Sequence, residues 1–236
     1  MDDFAAAIAQ AHADMGGKGI GTMGEKTLHL ALKYYFAPDP ESHERPVGGF
    51  IADAVTEDGI VEVQTRSLSR LKPKLDAFLP CCPVTVVHPV ILSKELRCVD
   101  ACGELLMLRK SPKHESPLSV MREVYTLREY LADTRFRICL CGIHLAEYRL
   151  NTARGQKLDR EPVFLEMLWM LCGPADYAAL LPADLPEELT AAGLAKAARI
   201  PEISARCYLN LLGRLGCAKE AGRRKDGKIW RMTAPN

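Results

Sequence analysis

The sequence lacks a dominant charge: 31 Lys+Arg stand against 30 Asp+Glu in 236 residues, a formal net charge of +1. Read whole, that balance argues against a nucleic-acid binder. No uninterrupted apolar stretch approaches the roughly 20 residues of a membrane helix, so no helical span is expected. No basic segment and apolar run open the chain, because Met1 leads into Asp2 and Asp3; a secretory signal is not expected. CxxC pairs and Cys/His clusters at ligand spacing are missing, which argues against structural zinc. There is no internal repeat and no low-complexity segment. The glycine-rich stretch Gly16-Gly17-Lys18-Gly19 is not followed by a GK[ST] context. It reads as a flexible lead-in, not a phosphate loop.

The composition that remains is ordinary: 48% hydrophobic and 26% charged. These values exclude disordered, collagen-like and fibrous classes and allow one or two domains. The nine cysteines are odd in number and sit mostly in apolar runs such as RICLCGI and LWMLCG. A free Cys there behaves as a small hydrophobe, and a reducing, cytoplasmic setting is expected.

The neutral total hides two opposed parts. Residues 191–236 hold ten Lys+Arg and three Asp+Glu, a charge of +7, and residues 1–190 carry −6. Such asymmetry points to a basic module attached to an acidic one.

Hydrophobic periodicity organises the first part. EKTLHLALKYYF places Leu28, Leu32 and Tyr35 on one helical face, and Pro38-Asp39-Pro40 ends it. VGGFIADAV and IVEVQTR flank Glu57-Asp58-Gly59, a hairpin signal. SRLKPKLDAFL reads as an amphipathic helix. VTVVHPVI reads as a buried strand, and LRCVDACGELLMLRK as a hairpin turning at residues 101–103. SPLSVMREVYTLREYLAD predicts a helix capped by Ser116 with Pro117 at its first position. FRICLCGIHLAEYRL predicts another strand. The order implies an α/β domain with a mixed sheet.

A polar break, NTARGQKLDREP, places the domain boundary between 1–155 and 156–236. Beyond it the chain reads as helical to about Gly216, with residues 161–190 as a helical connector. Thr190 caps one short helix, Arg199 to Glu202 make a tight turn, and Ile203 to Leu215 form a second helix ended by Gly216. Two short strands around residues 223–228 follow. Helix, turn, helix and basic hairpin resemble a winged helix-turn-helix domain. Arg206, Asn210 and Arg214 recur every four residues on its second helix. Arg223, Arg224, Lys225 and Lys228 cluster on the wing. Together they are the electrostatic footprint expected of a DNA reader.

The first hairpin carries the candidate chemistry. Asp53 and Glu62 lie on adjacent strands, and Gln64 shares the face of Glu62. Two carboxylates and the Val63 carbonyl, open to water, suit a hard cation such as Mg²⁺ or Mn²⁺. His88 reads as a satisfied core histidine, and His29 as exposed on the first helix.

These residues resemble the PD-(D/E)xK nuclease superfamily over roughly residues 20–150, closest to Holliday-junction resolvases. Glu25 begins the helix, Asp53 fills the first acidic position, and Glu62-Val63-Gln64 fills the second. The resemblance implies a restriction-endonuclease-like mixed sheet flanked by helices, plus a C-terminal winged helix. It further implies a metal-dependent DNA endonuclease with Glu25, Asp53, Glu62 and Gln64 as its site. Gln64 departs from the family's Lys, and Lys33 or Arg66 is the expected replacement cation. That departure leaves an alternative open: a catalytically inactive nuclease fold serving as a DNA-binding regulator or scaffold. Two-fold dimers are common for both parts, so a homodimer is allowed.

Overall fold

The computed structural model describes residues 2–16, 26–152, 156–225 and 227–233. The chain begins with α1 (Asp2–Asp14) and α2 (Lys26–Phe36). It continues through β1 (His43–Val47), β2 (Phe50–Thr56), β3 (Gly59–Val63), α3 (Lys72–Phe78), β4 (Val84–Val99) and β5 (Leu105–Lys110). Next come α4 (Met121–Val124), β6 (Phe136–Leu150), β7 (Lys157–Leu171) and α5 (Pro174–Ala178). The chain closes with β8 (Glu188–Leu189), α6 (Ala191–Ala198), α7 (Glu202–Arg214), β9 (Ala218–Arg224) and β10 (Gly227–Met232).

The large sheet runs β1-β2-β3-β4-β6-β7, and β5 pairs with the second half of β4. Strands β3, β4 and β6 are parallel, and the other pairings in this sheet are antiparallel. This is the expected mixed α/β sheet flanked by helices. One apolar core, with Leu28, Leu32, Val61, Val63 and Cys139, joins α2 to one sheet face. The other, with Ile60, Leu75, Val86, Ile138 and Leu209, joins α3, α4 and α7 to the opposite face. Alternation along β3 sends Ile60 to one core and its neighbour Val61 to the other.

Four expectations are corrected. The run 47–55 is not one strand: Gly48 and Gly49 turn the chain between β1 and β2, with φ of 55° and 82°. Two consecutive positive φ values suit a two-residue hairpin loop, and glycine adopts them without a Cβ clash. Residues 117–133 do not form one helix. They make a 3₁₀ turn (Pro117–Val120), the single α-turn α4, and a second 3₁₀ turn (Tyr125–Leu127). Leu118 and Val120 are both buried yet stand about 200° apart on an ideal helix, so a regular helix would expose one of them.

Residues 157–171 are not a helical connector. They form β7, hydrogen-bonded along β6. The Leu- and Met-rich sequence favours helix locally, but buried β6 needs pairing partners on both sides. Strands β6 and β7, which lie on either side of the expected boundary at 155/156, are thus neighbours in one sheet. Finally, Cys139 and Cys141 are buried but Cys172 is exposed; all nine cysteines are free thiols.

The C-terminal elements lie where the sequence places them. Thr190 Oγ1 accepts the Gly193 N–H at 3.1 Å, and Gly216 ends α7 with φ 74°. Strands β8, β10 and β9 form a three-stranded sheet. No helix among the described residues is long and apolar enough to cross a membrane.

Gly59 starts β3 with φ 119°, and a Cβ there would stand 2.3 Å from the Pro83 carbonyl oxygen. That oxygen accepts the Ile60 N–H at 2.8 Å, where β3 meets β4. Gly59→Ala should therefore cost about 2–4 kcal/mol, read as a lowered urea midpoint with a native-like fold in the surviving fraction.

Candidate functional site

The β2–β3 ladder pairs Thr56 with Gly59, Val55 with Ile60 and Ala54 with Val61. At the next rung two carboxylates replace the backbone. The Asp53 N–H donates to Glu62 Oε1 at 3.1 Å, and the Val63 N–H donates to Asp53 Oδ2 at 2.8 Å. The strands part here without leaving those two N–H groups unsatisfied. Asp53 and Glu62 are thus held together by main-chain donors, which orient them more firmly than flexible side chains would.

Glu62 is only 1% exposed, which corrects the expectation of a water-open strand face. Its partner is Lys74 on α3, whose Nζ sits 3.0 and 2.8 Å from the two carboxylate oxygens. Pro73 lies beside Lys74 in the first turn of α3, where a missing N–H costs nothing. Of the expected replacement cations, one borders the same cavity but is engaged by a different carboxylate. Lys33 is buried and its Nζ pairs with Glu44 at 2.6 Å. Arg66 is exposed on the segment after β3.

His29 is the other residue the sequence misplaced. Its Nε2 lies 3.7 Å from Asp53 Oδ2, and burial lowers its pKa, with the Asp53 charge opposing. Gln64 is half-buried beside the carboxylates. His88 is a satisfied core histidine: its Nδ1 lies 2.6 Å from the Gln64 carbonyl. A carbonyl only accepts, so Nδ1 carries the proton. Glu25 lies outside the described residues. Asp53, Glu62, Gln64, Lys74, His29, Lys33 and Arg70 border one cavity of about 820 Å³. The one signal that could have found Lys74 is its place one residue after Pro73, near the start of the crossover helix that follows the acidic strand.

The basic residues near the C-terminus form a second assembly. Arg206, Asn210, Arg223 and Lys228 border a groove of about 240 Å³ between α7 and the β9–β10 hairpin. Arg214 is exposed one turn further along α7 and borders a neighbouring cavity with Asn210. Several of these cations are already paired: Arg206 with Glu202 at 2.7 Å, Arg224 with Glu188 at 3.1 Å, and Lys228 with Glu220 at 2.5 Å. Asn210 Nδ2 donates to the Arg206 carbonyl at 2.9 Å. Among the described residues, Arg223 and Lys225 have no carboxylate partner.

The fold and site define an α/β protein with a buried, cation-paired carboxylate cluster. Residues 26–167 match the family described as "Domain of unknown function (DUF8091)", and the chain belongs to it. The match runs from the start of α2 into β7, so it includes Asp53, Glu62, Gln64 and Lys74. An uncharacterized protein of Treponema pallidum (strain Nichols) is 31% identical over 224 residues, covering 92% of this chain and 88% of the relative. That alignment extends into the C-terminal elements. No solved structure matches the chain.

The Glu62 pKa is pushed up from 4.5 to about 7, first by burial and then by the Asp53 charge, with Lys74 opposing. A carboxyl raised in the fold holds its proton more tightly there than in the unfolded chain. Its contribution is complete below 4.5 and is lost as pH climbs to about 7. Stability of wild type minus that of Glu62→Gln should therefore fall by about 2–3 kcal/mol between pH 5 and pH 8. Urea unfolding at both pH values checks this; a difference that does not change with pH would show that Glu62 is not raised.

Proposed function

We propose that this protein is a metal-dependent nuclease acting on DNA phosphodiester bonds, delivered to its substrate by a winged helix. The observation that carries the reading is the Lys74 ammonium seated on buried Glu62 beside Asp53. The resemblance to PD-(D/E)xK nucleases lacked a lysine at Gln64, and α3 brings one to the same carboxylate. The order α2, β1, β2, β3, α3, β4, with β3 and β4 parallel, accords with the helix, acidic hairpin and following helix that the resemblance implies.

The donor set fits a hard cation in part. Among the described residues no three His, Cys, Asp or Glu side chains gather. Asp53 and Glu62 would hold Mg²⁺ or Mn²⁺, with water and substrate oxygens completing a shell that Mg²⁺ readily leaves incomplete in protein ligands. The bound cation supplies Lewis-acid polarisation of the phosphate and a more acidic water. The chain's own groups do the rest. Lys74 places positive charge at the cavity wall, where negative charge develops in phosphoryl transfer. Gln64 offers an amide to orient water. Glu62 must lose its proton to bind a cation, so Mn²⁺ affinity should rise with pH up to about 7 and level off above it.

The C-terminal part supports the DNA half of the reading. Helices α6 and α7, hairpin β9–β10 and the added strand β8 follow the order of a winged helix. The groove holding Arg206, Asn210, Arg223 and Lys228 combines helix and wing donors suited to a phosphate backbone.

The experiment is cleavage of plasmid and branched DNA with Mg²⁺ or Mn²⁺. Cutting should appear with either ion, vanish with chelator, and fall roughly 100-fold or more in Asp53→Asn, Glu62→Gln and Lys74→Met. Cutting that survives Asp53→Asn and Glu62→Gln would sink the site. One observation favours the second reading, an inactive scaffold: Lys74 already occupies both oxygens of Glu62. That reading predicts salt-sensitive DNA binding with no cutting under any divalent ion.

The wing has its own test. Because Arg224 is paired, Arg223 and Lys225 should dominate its phosphate contacts. Replacing both by Ala should lower the slope of log affinity against log salt by about 2. Fluorescence anisotropy over a salt series reads this, and an unchanged slope removes the wing from the interface.

A further inference from the structure

A second cavity, of about 580 Å³, is bordered by Thr65, Arg66 and Ser67, just past the end of β3. Thr65 borders both cavities. His88, which borders this one, holds the Gln64 carbonyl that belongs to the first. Ser204 and Ile203, at the start of α7, also border it. The cavity therefore adjoins both the carboxylate site and the helix expected to read DNA.

Its walls are basic. Among the described residues that border it, five are cations, Arg66, Lys94, Lys113, Arg122 and Arg160, and two are carboxylates, Glu115 and Glu123. Both carboxylates are also committed to main chain: Glu115 Oε2 accepts the Ile91 N–H at 2.8 Å and Glu123 Oε2 accepts the Leu68 N–H at 3.2 Å. Two of the cations are built in from behind. Glu147 on β6 is fully buried and gathers Lys94 at 3.1 Å, Arg149 at 2.5 Å, Arg160 at 3.6 Å and Lys157 at 3.8 Å. Burial alone would raise its pKa, but the Arg149 and Lys94 hydrogen bonds outweigh that and lower it. One buried carboxylate cannot neutralise four cations. It fixes Lys94 and Arg160, the two of them that border the cavity, and leaves net positive charge there. Lys113 and Arg122, which also border the cavity, are exposed, and among the described residues neither has a carboxylate partner.

We propose that this cavity is a second binding site, for a phosphate group, distinct from the carboxylate centre. The nuclease reading identifies that group as a backbone phosphate of the DNA whose neighbouring linkage reaches Asp53 and Glu62. The proposal rests on that reading only for the identity of the ligand. Lys113 and Arg122 make direct contacts with the phosphate, and Glu147 is a positioning residue that acts through Lys94 and Arg160. A strand crossing Thr65 would then be held on both sides of the candidate centre without any base being read.

The test uses the full chain with chelator present, so that cleavage plays no part. Anisotropy of a short labelled duplex is followed over a salt series for wild type, Lys113→Ala/Arg122→Ala, and Arg45→Ala/Arg135→Ala. The last pair removes the same charge from exposed positions elsewhere. Affinity should fall about tenfold and the salt slope by about 2 in the first double variant, with a much smaller change in the second. Calorimetry with a nucleoside triphosphate separates the source. Nucleotide binding lost in Lys113→Ala/Arg122→Ala, with duplex binding unchanged, assigns the site to a free phosphate ester. Equal behaviour of both double variants in both assays overturns the proposal. If wild type binds the duplex through Lys113 and Arg122 but never cuts it with Mg²⁺ or Mn²⁺, the nuclease reading fails and the phosphate site stands.

Discussion

The exchange of backbone for carboxylate hydrogen bonds at the end of the β2–β3 pair is the constraint on which the site depends. Where the ladder stops, Asp53 and Glu62 each accept a main-chain N–H from the opposite strand. Both acids are therefore built into the sheet. Burying Glu62 raises its pKa, and Lys74 offsets part of that cost by forming two charge-assisted hydrogen bonds to it. Lys74 can do so because the parallel β3–β4 connection must cross over the sheet. The crossover helix α3 packs on the same face as Glu62.

The same logic operates a second time on β6. Glu147 is buried among four cations and organises them, much as Glu62 is buried against one. The two arrangements differ in sign. Around Glu62 and Asp53 the charges nearly balance, which suits a place where a divalent ion could enter. Around Glu147 the cations are in excess, which suits an anion. The two cavities share Thr65, so a nearly balanced carboxylate centre and a cationic wall lie side by side. The negative total of residues 1–190 therefore coexists with cations gathered at one cavity. A net negative domain can hold a polyanion if its positive charge is concentrated along one path.

Helix α7 links that path to the C-terminal elements. One side contributes Tyr208, Leu209 and Leu212 to the larger core, and Ser204 donates to the Ser119 carbonyl at 2.9 Å. The outward row of Arg206, Asn210 and Arg214 is left free of that packing. The basic segment is therefore fastened to the α/β sheet by its own helix, not suspended from a linker.

Much of the fold was legible because local chemistry and final environment agreed. The periodicity of α2, the Glu-Asp-Gly turn, the Thr190 cap and the glycine ending α7 depend on neighbours within a few residues. The adjacency of Asp53 and Glu62 follows from a hairpin, which is also local. Two of the mistakes share one cause. Residues 157–171 have helical composition, and only the unpaired edge of β6 makes them a strand. Residues 117–127 have a helical pattern, but the core takes up both Leu118 and Val120, which an ideal helix would point apart. Lys74 carries no mark of its role in the sequence. It reaches Glu62 because a crossover helix must return across a parallel strand pair, and the burial of Glu62 was invisible until that helix covered it. Sequence alone determined the turns, the caps, the pairing of the two acids and the segregation of charge. The tertiary structure decided which cation meets them, because that depends on groups brought together by packing, not by proximity along the chain.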